Sequence, residues 1–178
     1  MTTKRVELDP IAEALEQMPY GLYIIGSRGP DNINGMMADW VMQVSFVPRL
    51  VLVSLENSST TLRNVRHSQA FTVNLLDSES KQLAAKFCQP RDASKIKGRS
   101  EEASHVIYNK FEGVDFFEGE QTGIPILSDA MMWLECLLEQ EVPAGDHTLV
   151  IGRVVSGEVV DYKKEPLTQR ILGWQYAG

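Results

Sequence analysis

Two long runs of strand-forming residues, Met131 to Val142 and His147 to Tyr162, are separated only by a break at Pro143-Ala-Gly145 and by Asp146. So short a break leaves no room for a crossover helix, so the two runs must pair antiparallel as a hairpin. Strand following strand in this way excludes a strictly alternating, doubly wound architecture for the second half of the chain. Upstream, Tyr20 to Ser27, Leu50 to Leu55 and Phe71 to Leu76 read as strands, and Arg28 to Asn32 as a turn. Met36 to Val44 reads as one more strand.

Three short helices complete the list. Asp9 caps the first, Pro10 takes its first position, and Ile11, Leu15 and Met18 share a face before Pro19 stops it. Ser58 or Ser59 caps the second, which runs to about Ser68, and Glu79 to Phe87 is helical in pattern. Pro90 to Ser104 reads as a surface loop carrying Arg91, Lys95, Lys97 and Arg99, and Ile171 to Tyr176 closes the chain. About seven strands joined mostly by tight turns predict a mainly β, antiparallel barrel. With no internal repeat and no linker, residues 1–178 are expected to form a single domain.

Composition narrows the function. A net charge of −7 repels a phosphate backbone, so nucleic-acid binding is not expected. No apolar run is long enough to span a bilayer, and Met1 to Asp9 lacks the apolar core of a signal peptide, so the protein is expected in the cytoplasm without membrane attachment. Cys88 and Cys136 form neither a disulfide framework nor a zinc ligand set. There is no Gly-x-Gly-x-x-Gly after the first strand, no P-loop, no nucleophile elbow and no His-Glu-x-x-His. A bound nucleotide would use neither the Rossmann nor the P-loop mode.

Four segments remain as candidate chemistry. Asn34-Gly-Met-Met-Ala-Asp-Trp40, closed by Val44-Ser-Phe-Val-Pro48, mixes small, polar and aromatic residues. That suits the edge of a flat polar ring, and it equally suits a barrel strand with Trp40 in the core. Asn57-Ser-Ser-Thr-Thr61 precedes a helix, where hydroxyls and free N–H groups can hold a phosphate or simply cap. Gly145-Asp-His147 is turn chemistry that also offers a proton donor near neutral pH. The Arg91–Arg99 loop offers phosphate contacts or a solvated balance to nearby acids.

In this order the segments resemble the flavin reductase-like family, the FMN-binding split barrels. The matching pieces are Asn34–Trp40, Val44–Pro48, Ser59-x-Thr61, Phe71-Thr-Val-Asn-Leu75 and Gly145–Val154, within a match from about Met18 to Tyr176. The resemblance implies a Greek-key split barrel that forms a homodimer, with FMN near the subunit interface. It implies an NAD(P)H-dependent flavin reductase that passes reduced flavin or electrons to an oxygenase or another acceptor protein. An FMN-binding electron-transfer protein, reduced by another protein, is the alternative.

The resemblance implies FMN contacts from Asn34, Met37, Ala38, Asp39 and Trp40, from Ser45, Phe46 and Pro48, and from Trp174. Ser59 and Thr61 correspond to phosphate-holding positions, and Arg91 and Lys95 would add charge there. His147 corresponds to the residue beside the nicotinamide or flavin edge. Met37 and Asp39 depart from the pattern, which commonly has a small polar residue and Ser at these places.

Overall fold

The computed structural model describes residues 9–89 and 108–173. The hairpin that opens the sequence argument is its longest feature: β8 (Met132–Ala144) pairs with β9 (His147–Val159) along their full length. Only Gly145 and Asp146 form the turn, because Ala144 pairs with His147. Gly145 takes a positive φ of 64°, which a side chain would resist. The strand therefore runs through Pro143, where the sequence suggested a break. A bulge at Glu139 resets the side-chain alternation of β8, and one at Val155, opposite Glu135 and Cys136, resets that of β9.

β1 (Tyr23–Arg28), β2 (Ile33–Ala38), β3 (Val41–Ser45), β4 (Leu50–Glu56) and β5 (Ala70–Leu75) complete a seven-stranded antiparallel sheet. Its order is β2-β1-β5-β8-β9-β4-β3. The two outermost strands, β2 and β3, are joined through Asp39 and Trp40 alone. Two residues reach only about 10 Å, so the sheet must curl until its two edges meet at that corner. The segment expected as one strand, Met36 to Val44, is thus two strands bent apart at Asp39-Trp40.

Both sides of β1 are covered, which explains its unbroken burial. Ile25 packs into a core with Val53, Leu62, Val65, Phe71 and Val150. Ile24 points the other way, toward Leu76, Ala84, Phe87, Leu127 and Leu167. The first core is closed by α2 (Thr60–Ser68) and the second by α3 (Lys81–Cys88). A small hairpin, β6 (Phe116–Glu118) with β7 (Pro125–Leu127), was not expected from the sequence. Buried Glu135 anchors its turn, accepting from the Gln121 and Thr122 N–H groups and the Thr122 hydroxyl. α1 (Pro10–Leu15) and α4 (Gln169–Leu172) are short, each capped by the side chain before it, Asp9 and Thr168.

The architecture is the mainly β, antiparallel fold with a few short helices that the sequence predicted.

Candidate functional site

Three chain segments meet beside the tip of the β8–β9 hairpin. Asn57, leaving β4, laces itself to that tip: its N–H donates to the Asp146 carbonyl at 3.0 Å and its Nδ2 to the Gly145 carbonyl at 3.2 Å. The Thr148 hydroxyl returns a bond to Asn57 Oδ1 at 2.8 Å. The next residues, Ser58 and Ser59, open α2, so the hydroxyl-rich helix start and the Gly-Asp-His turn are neighbours. The third segment is the β2–β3 link. The Trp40 carbonyl accepts from Ser54 N–H, and its ring lies 5.0 Å from the His147 ring, tilted by 50°.

His147 is largely buried, with its Nδ1 2.7 Å from the exposed Asp146 carboxylate. That hydrogen bond and the attraction of the ring hold the Asp146 pKa below the ordinary carboxylate value. With Nδ1 engaged, Nε2 is the nitrogen left for a ligand.

At the start of α2 the hydroxyls divide. Ser59 Oγ accepts from Leu62 N–H and caps the helix. Thr61 is buried and accepts from Asn34 Nδ2 at 3.1 Å, tying β2 to the helix. Half-buried Thr60 and exposed Arg63 stand at the same helix end, bonded through Arg63 Nη2 and Thr60 Oγ1 at 2.9 Å. The sequence reading counted Thr60 only as one hydroxyl of the run, and passed over Arg63 and over Asn57 as the lace. An Asn-Ser-Ser-Thr-Thr run looks alike at every hydroxyl until the helix phase is known.

Along β2, Ala38 lines the first core and Met37 packs against the second, so they face opposite ways. Asp39 is half-buried; burial raises its pKa, against the lowering effect of its own and the Trp40 N–H groups. The corner behaves differently. Ser45 ends β3, about 16 Å of extended chain from Trp40, and Phe46 and Pro48 lie beyond it. The structure does not bring them to His147 within one chain. Phe46 is 83% exposed, and the Val47–Pro48 bond is cis. Arg91, Lys95 and Trp174 lie outside the described residues. Among the described residues, no cluster of His, Cys, Asp or Glu is placed to hold a metal, and no helix is long and apolar enough to cross a membrane.

Residues 15–174 match the flavin reductase like domain. The chain belongs to that family. Among curated relatives, it is similar to flavin reductase (NADH) from Kitasatospora aureofaciens, 29% identical over 85% of this chain and 72% of that one. It is also similar to ferric-chelate reductase (NAD(P)H) from Archaeoglobus fulgidus, 30% identical over 83% and 80% of the two chains. Among solved structures, the NADH:FAD oxidoreductase SgcE6 of Streptomyces globisporus C-1027 shares the fold, with a TM-score of 0.75 over 92% of both chains at 22% identity. The family match spans every described candidate, from Asn34 on β2 to His147 on β9.

Proposed function

We propose that this chain is an NAD(P)H-dependent flavin reductase that uses FMN and works as a cytoplasmic homodimer. The observation that carries the reading is the convergence of Trp40, His147 and the α2 N-terminus in a chain of the flavin reductase like family. The donor set fits a flat polar ring bearing a phosphate. Asn34 Oδ1 is a buried acceptor with no partner among the described residues, which suits a ring N–H. The α2 N-terminus, with Thr60 and Arg63, suits the phosphate.

Bound FMN supplies a ring that accepts a hydride from NAD(P)H. The protein's own work is placement. Trp40 offers an aromatic face. Asp146 fixes the His147 ring, leaving Nε2 to hold or deliver a proton at the ring edge. Arg91 and Lys95 are proposed to add positive charge at the phosphate. Ser45, Phe46 and Pro48 reach a flavin only across the subunit boundary, given their distance from His147. Electrons would leave with reduced flavin, to an oxygenase or another acceptor.

The test is steady-state oxidation of NADH and of NADPH with FMN or FAD. Oxidation that depends on FMN and saturates is expected. If neither nucleotide is oxidised in the presence of either flavin, the reductase reading fails, and reduction by another protein takes its place.

A further inference from the structure

Lys110 is buried to 7% exposure, an unusual place for an ammonium group. Its Nζ donates to the Gly35 carbonyl on β2 at 3.1 Å and to the Phe87 carbonyl in the last turn of α3 at 2.9 Å. Both acceptors need an outside partner. β2 is the outermost strand of its sheet, so one of its edges has no neighbouring strand. Phe87 O belongs to the carbonyls that a helix cannot satisfy internally, at the negative end of its dipole, where a cation is favoured.

The same two residues also touch by packing. A Cβ on Gly35 would lie 2.3 Å from Phe87 Cε1, so the Phe87 ring fills the space that glycine leaves. The end of α3 therefore rests flush on β2, and Lys110 bolts the two together. One residue earlier, Asn34 is tied to α2 through Thr61. Successive residues of the Asn34–Trp40 stretch are thus pinned to two different helices. Cys88, next to Phe87 at the end of α3, feels the lysine as well. Burial raises the Cys88 thiol pKa, the Lys110 charge lowers it, and the Asp39 charge raises it.

We infer that Lys110 is a positioning residue for flavin binding: it sets the backbone of the Asn34–Trp40 stretch. The inference rests on the proposal that this stretch faces the flavin. Lys110 touches no reacting atom, so its effect belongs on flavin affinity and not on the nicotinamide.

The experiment compares wild type with Lys110→Met and Lys110→Gln by FMN titration, NADH saturation and thermal unfolding. Lys110→Met is expected to weaken FMN binding at least tenfold while KM for NADH stays within twofold. Lys110→Gln keeps hydrogen-bond donors for the Gly35 and Phe87 carbonyls and is expected to recover part of that loss. Should Lys110→Met not fold, Gly35→Ala is the second variant. It pushes Phe87 off β2 and so parts the two carbonyls that Lys110 joins, while the lysine itself is unchanged, and is expected to weaken FMN binding in the same way. A folded variant that binds FMN as wild type does overturns the inference and leaves the reductase reading standing. Wild type that binds no flavin overturns both.

Discussion

His147 is held on two sides before any ligand arrives, by the Asp146 carboxylate at its Nδ1 and by the Trp40 ring. His147→Ala is therefore expected to lower kcat/KM for NADH by about a hundredfold or more, the usual contribution of a placed proton donor. FMN affinity should stay within a few fold, which a fluorescence titration reads. Asp146→Asn should give part of the same loss by releasing the ring. The two thiols make a contrast at the same scale. Burial, with some help from Glu135, pushes Cys136 up to about 12, whereas Cys88 is exposed at the end of α3. A thiol reagent on the native protein should label Cys88 alone, and Cys136 only after denaturation, as mass spectrometry would show. The sequence named His147 and Trp40 as candidates through separate segments. Their contact was not legible, because it depends on the bend at Asp39 that brings the sheet edges together. Lys110 was invisible for a simpler reason: a lysine in a polar stretch reads as solvated, and only the neighbouring carbonyls make it otherwise.

Among the elements, the least obvious tie is that between the α3 entry and the segment after β9. Asp77 is buried, accepts from Ser80 Oγ and Glu79 N–H, and pairs with Lys164. Burial pushes its carboxyl up, but the hydrogen bonds from Lys164, Ser80 and Glu79 outweigh that and leave its pKa below the ordinary value. A lowered folded pKa contributes stability above the unfolded value of about 4, which is lost as pH falls through the folded value. Asp77→Ala should cost about 1–2 kcal/mol at neutral pH, by leaving the Ser80 and Glu79 donors without their acceptor, while the half-exposed Lys164 returns to water. The deficit should shrink in acid, as urea unfolding in both conditions would reveal. Helix starts were legible here: Asp9 caps as expected and Ser59 is the capping one of the two serines offered, although α1 ends at Leu15, short of the expected Met18. Strand ends were less so. The bend at Asp39-Trp40 has no Gly or Pro to announce it, and the strand running through Pro143 does so beside the hairpin turn, where a missing N–H costs little. The β6–β7 hairpin is too short to show a period, and its anchor, Glu135, lies on another strand.

At the scale of the whole molecule, the edge strand β3 and its corner leave Met42, Val44, Phe46 and Val47 exposed, the last to 93%. An apolar edge of this kind is normally covered. In the proposed homodimer a second copy covers it, and the same contact would carry the Ser45–Pro48 corner toward the partner's flavin. Met42→Glu is accordingly expected to shift the protein toward monomer in sedimentation velocity. The central claim is nicotinamide-dependent reduction of a flavin held by this chain. It is tested most directly by mixing the FMN-loaded protein anaerobically with NADH, and separately with NADPH, in a stopped-flow spectrometer. The account predicts rapid bleaching of the flavin band with at least one of them, slowed about a hundredfold or more in His147→Ala. Bound FMN that dithionite bleaches but neither nucleotide does would contradict it.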